Sequence, residues 1–126
     1  MMGKRLYGLR GAIFCSNDSA DIERRAAELY DALVPANGLA EDDIVSLTFS
    51  VTADLRASNP AAALRRSGRG AALALFAVAE AESDGAFPGT LRVLIHCYAP
   101  EGKPPRHAYL NGAEALRPDR QESAAP

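Results

Sequence analysis

The chain has little with which to build the usual reactive centres. Its 126 residues include only two cysteines and two histidines. Cys15 and Cys97 could form at most one bridge and have no metal-ligand spacing. Two free thiols in a reducing compartment is the expectation, because small secreted domains tend to be disulfide-dense. His96 and His107 lack an HExxH arrangement or a nearby cysteine pair, which argues against zinc. No phosphate loop is present, since Gly68 and Gly70 are not followed by Lys-Ser or Lys-Thr and do not open a helix. There is no Gly-x-Ser-x-Gly elbow either. Basic charge is not in excess: 14 Lys and Arg stand against 16 Asp and Glu, a net charge of −2. That argues against a nucleic-acid partner. No apolar run approaches the ~20 residues needed to cross a bilayer. The start, Met1-Met2-Gly3-Lys4-Arg5, lacks the apolar region and cleavage site of a signal peptide. The expectation is a cytoplasmic protein with no membrane contact. No internal repeat is visible.

What is present is an ordinary globular balance, 48% hydrophobic and 24% charged. The length fits one domain able to bury about two-thirds of its unfolded surface. All but two of the basic residues are Arg, whose planar fork suits carboxylates and phosphates.

Leu6 to Phe14 reads as a buried strand approached closely at Gly8 and Gly11. Asn17, Asp18 and Ser19 supply turn and cap chemistry. Ile22, Ala26, Leu29 and Leu33 then mark one face of an amphipathic helix, which Pro35, Asn37 and Gly38 end. Ile44 to Thr52, rich in β-branched residues, is a second strand. Ser58 or Asn59 caps a short helix with Pro60 in its first turn, running through Arg65. Ala71 to Ala79 reads as a buried third strand, although its alanines also suit a helix. Leu91 to Tyr98 is the clearest strand, and Arg106 to Leu110 a short last one. The expected fold is a mixed α+β domain of about five strands and two helices over residues 1–117. A loose polar tail is expected over residues 118–126.

Three charged residues stand within or beside apolar segments: Arg10, Glu80 and Arg92. A charge inside a buried strand costs several kcal/mol unless it is paired. One reading pairs Glu80 with Arg10 or Arg92 as a structural ion pair and leaves Arg65 and Arg117 in solvent. The other gathers several arginines, one carboxylate and Tyr109 around a small dianion, with Arg forks gripping carboxylates. His96 is expected to be a packed or hydrogen-bonded core residue. A Cys97–His107 nucleophile pair is left open by spacing alone.

Several segments together are similar to the monofunctional chorismate mutases of the trimeric pseudo-α/β-barrel class. They are Gly8-Leu9-Arg10-Gly11-Ala12, Thr52-Ala53-Asp54-Leu55 followed by Pro60 to Arg65, Glu80, Leu91-Arg92-Val93, and Arg106-His107-Ala108-Tyr109-Leu110 through Leu116-Arg117-Pro118-Asp119. The resemblance spans Leu6 to about Asp119, and order and spacing make it specific. It implies the conversion of chorismate to prephenate, in phenylalanine and tyrosine biosynthesis, by a Claisen rearrangement. Such a reaction needs positioning and preorganised electrostatics rather than a nucleophile, metal or cofactor.

The resemblance also implies roles. Arg92 would bond the breaking ether oxygen and a carboxylate, and Glu80 would take the ring hydroxyl. Arg10 and Tyr109 would hold carboxylate. Arg65 would come from a neighbouring subunit, and Arg117 would begin a C-terminal segment that settles over the ligand. A homotrimer with sites between subunits is implied. Ala77, Asn59 and Ala62 depart from the family pattern, in which cysteine, an aromatic and lysine occur. Two alternatives remain: a small trimeric imine or enamine deaminase, and a non-catalytic carboxylate-binding module.

Overall fold

A computed structural model describes residues 3–118. Strand β1 (Lys4–Phe14) leads through a turn into helix α1 (Ser19–Leu33), followed by β2 (Ile44–Val51). Helix α2 (Pro60–Arg66), β3 (Leu75–Ala79), β4 (Thr90–Pro100) and β5 (Ala108–Leu110) complete the order. Short 3-10 turns occupy Pro35–Asn37, Glu41–Asp43 and Ala113–Leu116. The five strands form one sheet in the order β3-β2-β4-β1-β5. β4 lies antiparallel between β1 and β2, while β3 and β5 run parallel to β2 and β1 at the two edges. The expected mixed sheet with two helices is therefore present.

Local chemistry fixes the helix ends. The Asp18 carboxylate accepts from the Asp21 backbone N–H at 3.0 Å and so caps α1, an interaction typically worth about 1 kcal/mol. Pro35 follows immediately after Val34 and cannot continue the helix, because it has no N–H to donate. Asn59 caps α2 by accepting from Ala61 N–H at 2.9 Å and Ala62 N–H at 3.3 Å. Pro60 then supplies the first helical residue, where a missing N–H costs nothing.

The stripe Ile22, Ala26, Leu29 and Leu33 is wholly buried against Leu9 and Ile13 of β1, with Leu47, Phe49, Leu91, Val93 and Ile95 in the same core. Burying each large aliphatic side chain contributes about 1.5–3 kcal/mol. Gly11 permits the close approach of α1: a Cβ there would lie 2.7 Å from Leu33 Cδ1 and 3.0 Å from Leu29 Cδ1. Gly8 has no such role, since nothing lies within 4 Å of its Cβ position.

The opposite face carries the alternate residues and holds Leu6, Phe76, Val78, Leu94 and Tyr98 in exposed positions. Near β5 it is partly roofed, where Ala113 and Leu116 pack on Ala12, Tyr109 and Phe14. This one-sided burial corrects three expectations. β1 and β4 are buried on one face only, so Arg10 is exposed rather than embedded. His96 is also exposed, sharing a 3.1 Å hydrogen bond with Ser46. The third strand begins at Leu75 rather than Ala71, lies at an edge, and has no fully buried residue. Residues 119–126 of the expected tail lie outside the described residues.

Candidate active site

Strand pairing places the charged residues together on the open face. Ser50 of β2 is the direct partner of Val78 on β3 and of Arg92 on β4. Arg92 is in turn opposite Ala12 of β1, which is opposite Tyr109 of β5. One rung of five residues thus crosses the whole sheet. The next rung on the same face carries Phe76, Thr48, Leu94 and Arg10. Side chains two apart on a strand share a face, so Arg10 and Ala12, and Arg92 and Leu94, project to the same side.

A cavity of about 310 Å³ lies over these rungs, lined by Arg10, Ala12, Thr48, Ser50, Glu80, Arg92 and Tyr109 among others. Four of the expected site residues therefore meet: Arg10, Glu80, Arg92 and Tyr109. Arg65, in the last turn of α2, and Arg117, just after the Ala113–Leu116 turn, do not line it. Ser50 and Thr48 were not singled out from sequence. Their signal was the alternation Ser46, Leu47, Thr48, Phe49, Ser50, Val51, which gives β2 one polar face.

Glu80 is the first residue after β3, and its N–H donates to the Val51 carbonyl at 2.8 Å, extending the pairing with β2. The Ser50 hydroxyl donates to Glu80 Oε1. Arg92 Nε stands 3.7 Å from the same oxygen, close enough for electrostatic attraction and too far for a hydrogen bond. Glu80 and Arg92 thus form an ion pair, but a loose one that lines the cavity. Arg92 Nε and the Tyr109 hydroxyl are buried with no hydrogen-bond partner among the described residues. A buried polar atom left unpartnered costs about 1–3 kcal/mol, and here two such atoms stand beside one cavity, where a ligand or water could reach them.

Arg10 approaches the cavity from the second rung, and its backbone N–H donates to His107 Nδ1 at 3.0 Å. With two guanidinium groups against one carboxylate, the lining carries a net positive charge suited to an anion. A second cavity of about 340 Å³ shares Glu80 and Arg92 but adds Asp54 and Glu82, so its charge favours no anion.

The cysteines do not serve this site. Burial, reinforced by the charge of Asp21, pushes the Cys15 thiol up to about 11. Cys97 is fully buried in the core, and that burial raises its thiol as well. A nucleophilic cysteine needs the reverse shift, so the Cys97–His107 reading is set aside. Among the described residues, no three His, Cys, Asp or Glu side chains are grouped to hold a metal ion. Asn59, one of the departures from the family pattern, is occupied as the cap of α2.

Residues 6–120 match the family model for chorismate mutase type I. The chain is 32% identical to chorismate mutase AroH of Thermus thermophilus over 120 residues, covering 92% of this chain and 97% of that protein. It is 28% identical to chorismate mutase AroH of Bacillus subtilis (strain 168) over 117 residues, covering 90% and 91%. Among solved structures, a chorismate mutase from Clostridium thermocellum superposes with a TM-score of 0.81 at 36% identity. That superposition covers 87% of this chain and 99% of the other.

Proposed function

The chain belongs to the type I chorismate mutase family, and from that premise we propose that the cavity over Arg10, Glu80, Arg92 and Tyr109 is where chorismate is rearranged. The function is that of an isomerase converting chorismate to prephenate in aromatic amino acid biosynthesis. Family membership sets aside the deaminase and the simple binding module.

In this rearrangement the ether C–O bond breaks as a C–C bond forms between the enolpyruvyl methylene and the ring. Electrons move around one six-membered cycle and no proton is transferred. The enzyme therefore has two tasks: to hold the compact diaxial conformer, and to place a donor where charge develops on the ether oxygen. Arg92 is proposed as that donor, since its Nε is buried beside the cavity without a partner. Removing one such preorganised donor typically costs about 2.7–4 kcal/mol of transition-state stabilisation. Arg10 and Tyr109 are proposed to hold carboxylate, and Glu80 to accept the ring hydroxyl. The observation that carries the reading is this convergence of two arginines, one carboxylate and an unpartnered phenol on one cavity.

Assembly as a homotrimer, with each site completed by a neighbour, is part of the proposal. It is supported by the apolar side chains on the open sheet face; Phe76 is 65% exposed. It is supported too by Arg65, which does not line its own chain's cavity. Arg65 would reach the neighbouring site, and Arg117 would lead the segment closing over bound substrate. No cofactor enters the scheme. We place the enzyme in the cytoplasm; among the described residues no helix is long and apolar enough to cross a membrane.

The test is to incubate purified protein with chorismate, follow loss of the diene absorbance, and identify the product by proton NMR. Prephenate forming faster than in the protein-free control is the expected result. Unchanged chorismate with folded, trimeric protein would overturn the reading.

A further inference from the structure

We propose that Ser50 is a positioning residue: its hydroxyl fixes the Glu80 carboxylate and keeps it from closing onto Arg92. The inference rests on the roles given above to Glu80 and Arg92.

Glu80 needs such a restraint. It lies one residue past the end of β3, with its backbone tied to β2 through the Val51 carbonyl. The long side chain beyond that anchor has rotamer freedom, whose loss on ordering costs up to about 2 kcal/mol. Ser50 is the residue placed to supply the restraint. On β2 it sits one position before Val51, and across the sheet it is the direct partner of Arg92. Its hydroxyl donates to Glu80 Oε1, the same oxygen that Arg92 Nε faces at 3.7 Å.

A neutral donor on that oxygen has two consequences. It leaves Oε2 available to accept the substrate's ring hydroxyl. It also spares the Arg92 Nε–H, which remains without a partner among the described residues and ready for the ether oxygen. Without the Ser50 hydroxyl, Oε1 loses its hydrogen bond, and Arg92 Nε, 3.7 Å away, is a charged donor placed to replace it. A direct Glu80–Arg92 hydrogen bond would then consume the group meant for the transition state. Ser50 thus acts through Glu80, and mainly on the chemical step.

The experiment compares kcat and KM for wild type, Ser50→Ala, Ser50→Thr, Glu80→Gln and the double variant Ser50→Ala/Glu80→Gln, with thermal melts for each. Ser50→Ala is expected to lower kcat about tenfold, the scale of a hydrogen bond to a charged group, with KM nearly unchanged and the melt preserved. Ser50→Thr, which keeps the hydroxyl, should recover most of that kcat. The double variant should be no slower than Glu80→Gln alone, because a neutral amide at position 80 no longer draws Arg92 toward it and the Ser50 hydroxyl then has no ion pair to prevent. Ser50→Ala at wild-type kcat beside an impaired Glu80→Gln would overturn the proposal and leave the role of Glu80 standing. Multiplicative losses in the double variant would also overturn it. Full turnover by Glu80→Gln would instead remove the reading of Glu80 itself, and this proposal with it.

Discussion

Arg92 and Tyr109 sit on strands that do not pair with each other, yet Ala12 joins them: it is the direct partner of Arg92 across β1 and β4 and of Tyr109 across β1 and β5. The small side chain at that position leaves space between a guanidinium and a phenol, and the cavity is lined there by Ala12 itself. The site is thus a property of sheet register. A one-residue slip of β4 would turn Arg92 into the helix-packed face.

Replacing Arg92 tests the centre of this arrangement. Arg92→Ala should lower kcat by about 10²–10³, the loss seen when one preorganised donor is removed. Arg92→Lys should also be poor, because one ammonium cannot reproduce the two directions of a guanidinium fork. Steady-state turnover of chorismate decides the matter. Near-normal kcat in the alanine variant would remove Arg92 from the chemical step.

Gly11 links the sheet to α1 and governs stability rather than chemistry. In Gly11→Ala the new methyl would stand 2.7 Å from Leu33 Cδ1 and 3.1 Å from the Ala108 carbonyl oxygen. Leu33 is completely buried, so it has little room to retreat. Overpacking of this kind costs about 1–3 kcal/mol, which outweighs the roughly 0.4–1 kcal/mol that Ala gains by restricting the unfolded chain. Urea denaturation should show a lower midpoint with an unchanged slope. A midpoint equal to wild type would mean that α1 can shift away from β1 without penalty.

The parts legible in the sequence were those with a local cause. The α1 stripe, the Asn59 cap with Pro60 behind it, and the strands around Leu47 and Val93 follow from periodicity and end chemistry. The exposure of Arg10 was not legible. Leu6 to Phe14 is apolar apart from Arg10, so β1 reads as a buried strand, although Leu6, Gly8 and Arg10 all lie on the open face. Nor could the order β3-β2-β4-β1-β5 be read from one chain, because it depends on contacts between residues distant in sequence. The rung joining Ser50, Arg92 and Tyr109 exists only once that order is known. Arg10, Glu80 and Arg92 were legible as charges beside apolar segments, and resemblance to a family supplied their roles; their convergence is what the fold adds.

Acid should destabilise the protein in a defined window through Asp21. Its carboxylate accepts hydrogen bonds from the Arg24 guanidinium and from the Ser16 backbone N–H, and these hold it down at about 2, from 3.8. Between those values the unfolded chain binds the proton and the folded one does not, so stability rises with pH. The contribution is therefore complete above about pH 4 and is lost as pH falls toward 2. Asp43, lowered by its Lys4 partner at 2.7 Å, acts in the same direction. Denaturation midpoints measured from pH 5 to pH 2 should fall, and Asp21→Asn should flatten the slope. An identical slope in the variant would place the acid sensitivity elsewhere. Because Arg24 is largely exposed, added salt should weaken the effect.

The proposed sharing of sites between subunits can be tested with two damaged chains. Arg65→Ala removes the residue given to a neighbour, and Arg92→Ala removes the donor kept at home. Each homotrimer should be strongly impaired, although each should sediment as a trimer. In mixed trimers, a subunit with intact Arg92 can stand beside one with intact Arg65, and that interface rebuilds a complete site. For an equal random mixture in a closed cyclic trimer, about one interface in four pairs the two correctly. Co-expression, or mixing after reversible dissociation, should therefore restore about a quarter of wild-type turnover. If mixed trimers form and no activity returns, Arg65 acts within its own chain and the interfacial site is wrong. If either variant proves to be an active monomer, the trimer itself is no longer required. Recovery near one quarter would instead assign Arg65 and Arg92 to opposite sides of one boundary, where neither chain alone holds a complete site.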